Sequence, residues 1–261
     1  MNGQGRVLVT GATSGIGRAF ATALAGAGHQ IVLVARDEAR LQELAEELPS
    51  GPHEVLSSDL STDSGCVTVA ERLDREDLPI ELLVNAAGLG TNEMFPAASL
   101  EQEEQQLDVN VRAVLRLSWT AARAMRRRRS GSIINIASTA AFWSTGTYAA
   151  SKSWVVFASE GLIAGLADTQ VQVLCVIPGF TRTEFHSRSA VDNSGVAGWL
   201  WLGADQVAAE ALAALDAGRT HCVPGRQYRA LLPLVKALPW RARRAILRRL
   251  APLSASTEDR R

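Results

Sequence analysis

The chain of 261 residues is long enough for one large α/β domain, and 47% hydrophobic residues supply a sizeable core. Its 27 basic and 27 acidic residues cancel, so no global field draws it to nucleic acid or to an anionic membrane. Cys66, Cys175 and Cys222 are far apart and lack metal spacing; they read as reduced thiols of a cytoplasmic protein with no metal site. No signal peptide is visible, and no run approaches the roughly 18 apolar residues of a membrane span.

In chain order, Arg6–Thr10 reads as a buried strand, and Ile16, Phe20 and Leu24 give residues 16–27 helical spacing. Ile31–Ala35 is a second strand. Asp37–Leu48 is a charged amphipathic helix stopped by Pro49. Glu54–Ser57 is a third strand, and Ser61 caps a helix running to about Glu76. Glu81–Asn85 is a fourth strand, followed by one long helix from Leu100 to Arg129. Ser132–Ala137 and Val171–Ile177 are strands five and six, separated by a helix over Thr147–Ala167. Ala204–Ala217 is a further helix, and His221–Val223 a short seventh strand. Strands apolar on both faces, alternating with helices, predict a parallel sheet covered on both sides. Right-handed crossovers make it a doubly wound, Rossmann-like α/β fold of about seven strands. The economical division is one domain over 1–230 with an extension over 231–261.

Thr10-Gly11-Ala-Thr13-Ser14-Gly15-Ile16-Gly17 joins the first strand to the first helix. Glycines there let the backbone approach a pyrophosphate, and the helix N-terminus offers free N–H groups to it. A tight turn needs glycines too, but the position directly after an N-terminal apolar strand favours nucleotide binding. Tyr148 and Lys152 lie four apart, hence on one helix face, where an ammonium would favour phenolate and lower the tyrosine pKa.

The glycine spacing is Gly-x-x-x-Gly-x-Gly. Asn85-Ala-Ala-Gly88 follows the fourth strand, Asn110 lies in the long helix, and Ser138 follows the fifth strand. Tyr148-x-x-x-Lys152 and Pro178-Gly179 complete the series. In order and position these motifs resemble the short-chain dehydrogenase/reductase family, over about Arg6 to Thr183. The resemblance implies hydride transfer between a nicotinamide dinucleotide and a small-molecule carbonyl or secondary alcohol. It implies Tyr148 as proton donor and acceptor, Lys152 lowering its pKa and holding the nicotinamide ribose, and Ser138 on the substrate oxygen. Asn110 would hold a water linking Lys152 to solvent. Asp59 and Leu60 would flank the adenine, Asn85, Ala86 and Gly88 would line the ribose side, and Pro178, Gly179, Thr181 and Thr183 would meet the nicotinamide. Relatives are commonly homodimers or homotetramers.

In Rossmann-type sites an acid at the end of the second strand selects NAD, whereas an arginine accommodates the 2′-phosphate of NADP. The acid would fall at uncharged Ala35, and Arg36 matches the phosphate-binding arginine, so NADP(H) is favoured over NAD(H). The plainer reading of Arg36 is a solvated charge paired with Asp37 or Glu38. Ser138 and Asp59 could equally cap local turns, and Asn110 could be a polar interruption of its helix.

Ser138 and Tyr148 are ten residues apart, about three fewer than in many relatives, so the pocket wall between them is short. Phe142, Trp143, Phe180, Phe185, Trp199 and Trp201 are candidate pocket residues, favouring a lipophilic substrate, and Phe180–Gly203 reads as a lid. After Pro239, Ala242, Ile246, Leu250 and Leu253 follow helical spacing, with Arg241, Arg244 and Arg248 on another face. A membrane-surface role would need anionic lipid against that stripe. Packing on the domain or on a partner subunit is the plainer reading. The rival to an enzyme is a non-catalytic dinucleotide-binding sensor or scaffold. The glycine spacing and the lack of a large C-terminal substrate domain argue against a sugar-nucleotide epimerase or dehydratase.

Overall fold

Seven short runs of β-branched and leucine side chains form one sheet, buried on both faces. The computed structural model describes residues 5–91, 93, 95–143, 146–184, 196–239, 241–243 and 245–246. The strands are β1 (Arg6–Thr10), β2 (Gln30–Ala35), β3 (Glu54–Ser57), β4 (Ile80–Asn85), β5 (Ser132–Ile136) and β6 (Gln172–Val176), with the edge strand His221–Cys222. They run parallel in the order β3-β2-β1-β4-β5-β6 and then the edge strand. Helices α1 (Gly15–Gly26), α2 (Glu38–Glu47), α3 (Asp63–Asp74), α4 (Leu100–Leu107), α5 (Val114–Arg128), α6 (Thr147–Gly165), α7 (Ala204–Asp216) and α8 (Arg226–Ala237) complete the layers. One core cluster joins α1, α2 and α7 to the sheet through Phe20, Leu24, Leu33 and Ala211. Another joins α3 and α5 through Cys66, Leu117 and Met125. The sheet order reverses between β1 and β4, where doubly wound folds bind ligands beyond the strands' carboxyl ends.

Several local features differ from the expectation. Thr62, not Ser61, caps α3 by accepting the Gly65 N–H at 3.0 Å. The single long helix is interrupted by a π-helical turn over Asp108–Ala113, between α4 and α5. A pair of two-residue strands, β7 (Thr181–Arg182) and β8 (Leu202–Gly203), anchors both ends of the stretch read as a lid. α8 begins before the expected tail helix and continues through Pro233, so position 230 falls inside a helix. Phe185, Arg244, Arg248, Leu250 and Leu253 lie outside the described residues. Among the described residues no helix is long and apolar enough to cross a membrane.

Candidate active site

The carboxyl ends of β1, β4 and β5 share one register row. Thr10 pairs with Asn85, and Asn85 with Asn135. The Thr10 hydroxyl accepts the N–H groups of Ala86 and Ala87, each at 3.0 Å, and so ties the chain leaving β4 to β1. Asn85 is expected on the ribose side, but its side chain is spent inside the fold. Its amide donates to Asn135 at 2.8 Å and to Ser118 at 3.0 Å. Only its backbone remains for the cleft. Leu60 behaves alike: its side chain is buried in the core. Asp59 accepts both the N–H and the hydroxyl of Ser61, at 2.9 and 2.8 Å.

The glycine loop fits a phosphate. Gly11 and Gly15 hold φ of 67° and 51°, a region that side chains disfavour. A side chain at Gly17 would run into the Gly11 carbonyl, and one at Gly15 would lie 2.8 Å from the Thr183 methyl. Ser14 occupies the N-cap of α1 without a side-chain cap bond, and no acid stands in the first turn. Those N–H groups and the dipole end are therefore left for an anion. Thr13 lends its carbonyl to Arg40 at 3.1 Å, and Ile16 packs on the core. Arg36 is exposed at the end of β2 and forms no ion pair among the described residues. Asp37 instead caps α2 through the Arg40 N–H. Sequence reasoning overlooked Arg40, which reaches from α2 over the loop and pairs with Glu184 at 3.0 Å. Its position one turn beyond Arg36 is the only signal the sequence carries for it.

Ser138 leads a 3-10 turn over Thr139–Phe142, its hydroxyl accepting the Ala140 N–H at 3.1 Å. The capping role weighed for Ser138 is real, and the same side chain also hydrogen-bonds Tyr148. Tyr148 and Lys152 lie in the first two turns of α6. Lys152 is buried, donates to the Ile136 carbonyl at 3.0 Å, and sits 5.9 Å from the centre of the Tyr148 ring. Asn110, in the π-helical turn, grips Leu89 from both sides. Its oxygen accepts the Leu89 N–H at 2.9 Å, and its amide donates to the Leu89 carbonyl at 2.8 Å. A side chain at Gly88 would meet the Asn110 oxygen and Lys152 Nζ, each at 3.4 Å, so a bare backbone lets the two approach a common point.

The electrostatics reverse one expectation. Burial pushes the Tyr148 phenol up to about 12, and the Ser138 hydrogen bond only partly offsets it. Burial also drops Lys152 to about 8. The expected lowering of the tyrosine by the lysine is outweighed, because the low-dielectric interior disfavours both charged forms.

Among the residues expected to meet a nicotinamide, Pro178 accepts the Thr139 N–H at 2.9 Å, and Thr181 donates to the Gly179 carbonyl at 3.0 Å. Tyr228 of α8, also unforeseen, presses its ring where a Gly179 side chain would stand. Its hydroxyl accepts the Phe180 N–H at 2.9 Å and donates to the Leu200 carbonyl at 2.8 Å. The glycine after Pro178 was the one sequence sign of such a close approach. Phe180 and Trp201 stack at a tilt, centroids 5.6 Å apart. Phe95 lies against Gly146, just before Tyr148.

Residues 5–193 match the family model for short chain dehydrogenases, so the chain belongs to that family. A 2,3-dihydro-2,3-dihydroxybenzoate dehydrogenase of Bacillus subtilis is 32% identical over 198 residues, 74% of this chain and 76% of that one. A short-chain dehydrogenase from Sphingobium yanoikuyae, solved with NADPH, superposes with a TM-score of 0.80 at 30% identity, covering 98% of each chain. A bulky-bulky ketone specific alcohol dehydrogenase from Comamonas testosteroni gives 0.74 at 26% identity, covering 98% of this chain and 96% of that one. The protein is therefore an oxidoreductase of the short-chain dehydrogenase family, built for a nicotinamide dinucleotide and a small-molecule substrate.

The lowered Lys152 pKa has a consequence for stability. Below pH 8 the ammonium is charged both folded and unfolded, and its burial cost is fully felt, at most about 3 kcal/mol. Between pH 8 and the unfolded value of 10.5 the unfolded chain keeps a proton that the folded one has released, so stability rises with pH. Lys152→Met is expected to raise the urea midpoint at pH 7, with the gain roughly halved by pH 9.5. A variant less stable than wild type at pH 7 would show that the ammonium is stabilising.

Proposed function

We propose that this protein is an NADP(H)-dependent oxidoreductase that interconverts a carbonyl and a secondary alcohol on a lipophilic small molecule, with Tyr148 as general acid and base. The observation that carries the reading is Ser138 hydrogen-bonded to Tyr148, with Lys152 one turn further along α6. When bound, the reduced nicotinamide supplies a hydride to the carbonyl carbon. Tyr148, held as a neutral phenol at pH 7, gives its proton to the oxygen as negative charge develops there. Ser138 stabilises the same oxygen by a hydrogen bond. Lys152 holds the ribose hydroxyls, and Asn110 positions a water that returns the proton to Tyr148 through Lys152.

The exposed guanidinium of Arg36, without an ion pair among the described residues, supports NADP(H), as does the NADPH-bound relative. The Phe180 and Trp201 rings and exposed Phe95 support a lipophilic substrate, as does the Comamonas neighbour's ketone specificity. A second copy of the chain is the proposed partner. α5 and α6 leave a groove of about 380 Å³ between them, floored by Asn135 and edged by Trp119. Leu115 and Trp119 are at least half exposed along it, and Gly161 and Gly165 have nothing against them. Small residues at that spacing let a partner helix approach closely. The hydrogen bond from Arg243 to the Phe142 carbonyl supports the plainer reading of the segment after Pro239, packing on its own domain, over membrane attachment.

Tyr148→Phe is expected to abolish carbonyl reduction while leaving the NADPH dissociation constant within about twofold; retained turnover would remove Tyr148 from the mechanism. Arg36→Ala is expected to weaken NADPH roughly tenfold and leave NADH unchanged, as read by fluorescence titration. NADH binding as tightly as NADPH to the wild type would end the NADP(H) reading. Trp119→Glu is expected to halve the mass measured by light scattering after gel filtration, by placing a charge in a buried apolar contact. An unchanged mass would place the subunit contact elsewhere.

A further inference from the structure

α8 and the turn after it come back over the catalytic end of the sheet. Leu232 is buried in a cluster with Ala137, Val155 and Ile177, and Phe142 packs against the same cluster. Lys236 Nζ stands 4.5 Å from the centre of the Phe142 ring, a cation–π contact. Arg243 donates to three carbonyls. Nε reaches Leu238 at 2.9 Å and Nη2 reaches Lys236 at 2.9 Å, both at the end of α8, where helix carbonyls lack partners. Nη1 reaches Phe142 at 3.1 Å, 101 positions earlier in the chain.

Phe142 ends the 3-10 turn that Ser138 begins. That turn is short and held at each step. Ser138 accepts the Ala140 N–H on its hydroxyl and the Ala141 N–H on its carbonyl, the latter at 3.1 Å. Ser153 of α6 donates to the Ala141 carbonyl at 2.5 Å, and Trp143 closes onto Ala140 at 2.9 Å. A constraint at Phe142 is therefore passed to Ser138 through four residues with little slack.

We infer that Arg243 is a positioning residue for Ser138, and that with Lys236 it makes the C-terminal arm the outer wall of the substrate side. The inference rests on the reading of Ser138 as the donor to the substrate oxygen. The arm braces the turn from outside, through Arg243 on the Phe142 carbonyl and Lys236 over the Phe142 ring. A guanidinium suits the task because its rigid fork meets three carbonyls at once, whereas an ammonium is a point donor on a flexible stem.

Arg243→Ala and Arg243→Lys in the full chain test this, with amide hydrogen exchange across residues 138–148, NADPH-dependent reduction of a ketone panel, and NADPH binding. In Arg243→Ala the amides of Ala140, Ala141 and Trp143 are expected to exchange about tenfold faster while those of β5 keep their protection. kcat is expected to fall about fivefold with the NADPH dissociation constant within twofold, since a displaced donor stabilises the oxyanion less. Arg243→Lys should recover only part of both effects. Unchanged exchange in the turn overturns the inference, as does faster exchange spread evenly over the protein. If the turn loosens as expected but the wild type reduces no ketone, the functional reading fails while the brace stands. If ketones are reduced and the turn is unmoved, the brace fails alone.

Discussion

The row of polar side chains at the carboxyl ends of the central strands is the constraint on which the site depends. Asn85 and Asn135 are adjacent in register, deep in an otherwise apolar sheet. A buried amide is costly unless its hydrogen bonds are made. Asn85 finds Asn135 and Ser118 of α5, and Asn135 donates to Ser159 of α6 at 3.1 Å. These bonds close only when β4 and β5 pair in this register and both helices dock at one height. A slip by one residue would turn every strand side chain to the other face and orphan each of these groups. Correct register then fixes where the chain leaves β1, β4 and β5. Those exits are the glycine loop, Gly88 and Ser138, so the sheet interior sets the relative placement of the glycine loop and the turn that Ser138 begins.

The fold was legible because parallel strands covered on both faces read as unbroken apolar runs, and each was punctuated by a charged helix or by glycine. β1 and β3 span the residues expected from the sequence, Arg6–Thr10 and Glu54–Ser57. The glycine loop was legible because its position after β1 restricts what it can bind. Side-chain direction was not. Whether Asn85 faces the cleft or the core depends on partners 33 and 50 positions away, which no local pattern contains. The π-helical turn at Asn110 was hidden for the same reason: the amide's grip on Leu89 comes from a distant segment. Pro233 lies inside α8, a position that disfavours helix, yet tertiary packing of Tyr228 and Leu232 carries the helix through it.

The pairing of Tyr148 with Lys152 shows how burial changes the meaning of a motif. On an exposed helix an ammonium one turn away would draw the phenol pKa down. Here Lys152 is taken from water and Tyr148 is half-buried beside it, and each is driven towards its neutral form, about 12 for the phenol and about 8 for the amine. The same low dielectric that suppresses their charge also strengthens any hydrogen bond to an oxyanion formed between Ser138 and Tyr148. A neutral donor in a dry site is suited to the moment when charge appears on substrate, not to the resting enzyme.

The two ends of the cleft are built by different rules. The end proposed for the dinucleotide uses backbone, glycine and helix termini from the first ninety residues, with the Arg36 side chain at its edge. The substrate end is assembled from segments remote in sequence: the turn after Ser138, the β7 and β8 pair, and α8. Tyr228 is the joint between them, since one hydroxyl bonds the residue after Gly179 and the carbonyl of Leu200. A change in α8 is therefore transmitted to the backbone on the nicotinamide side as well as to the pocket wall. Under the proposed function, that shared joint ties substrate choice to cofactor placement, because one tyrosine holds both backbones.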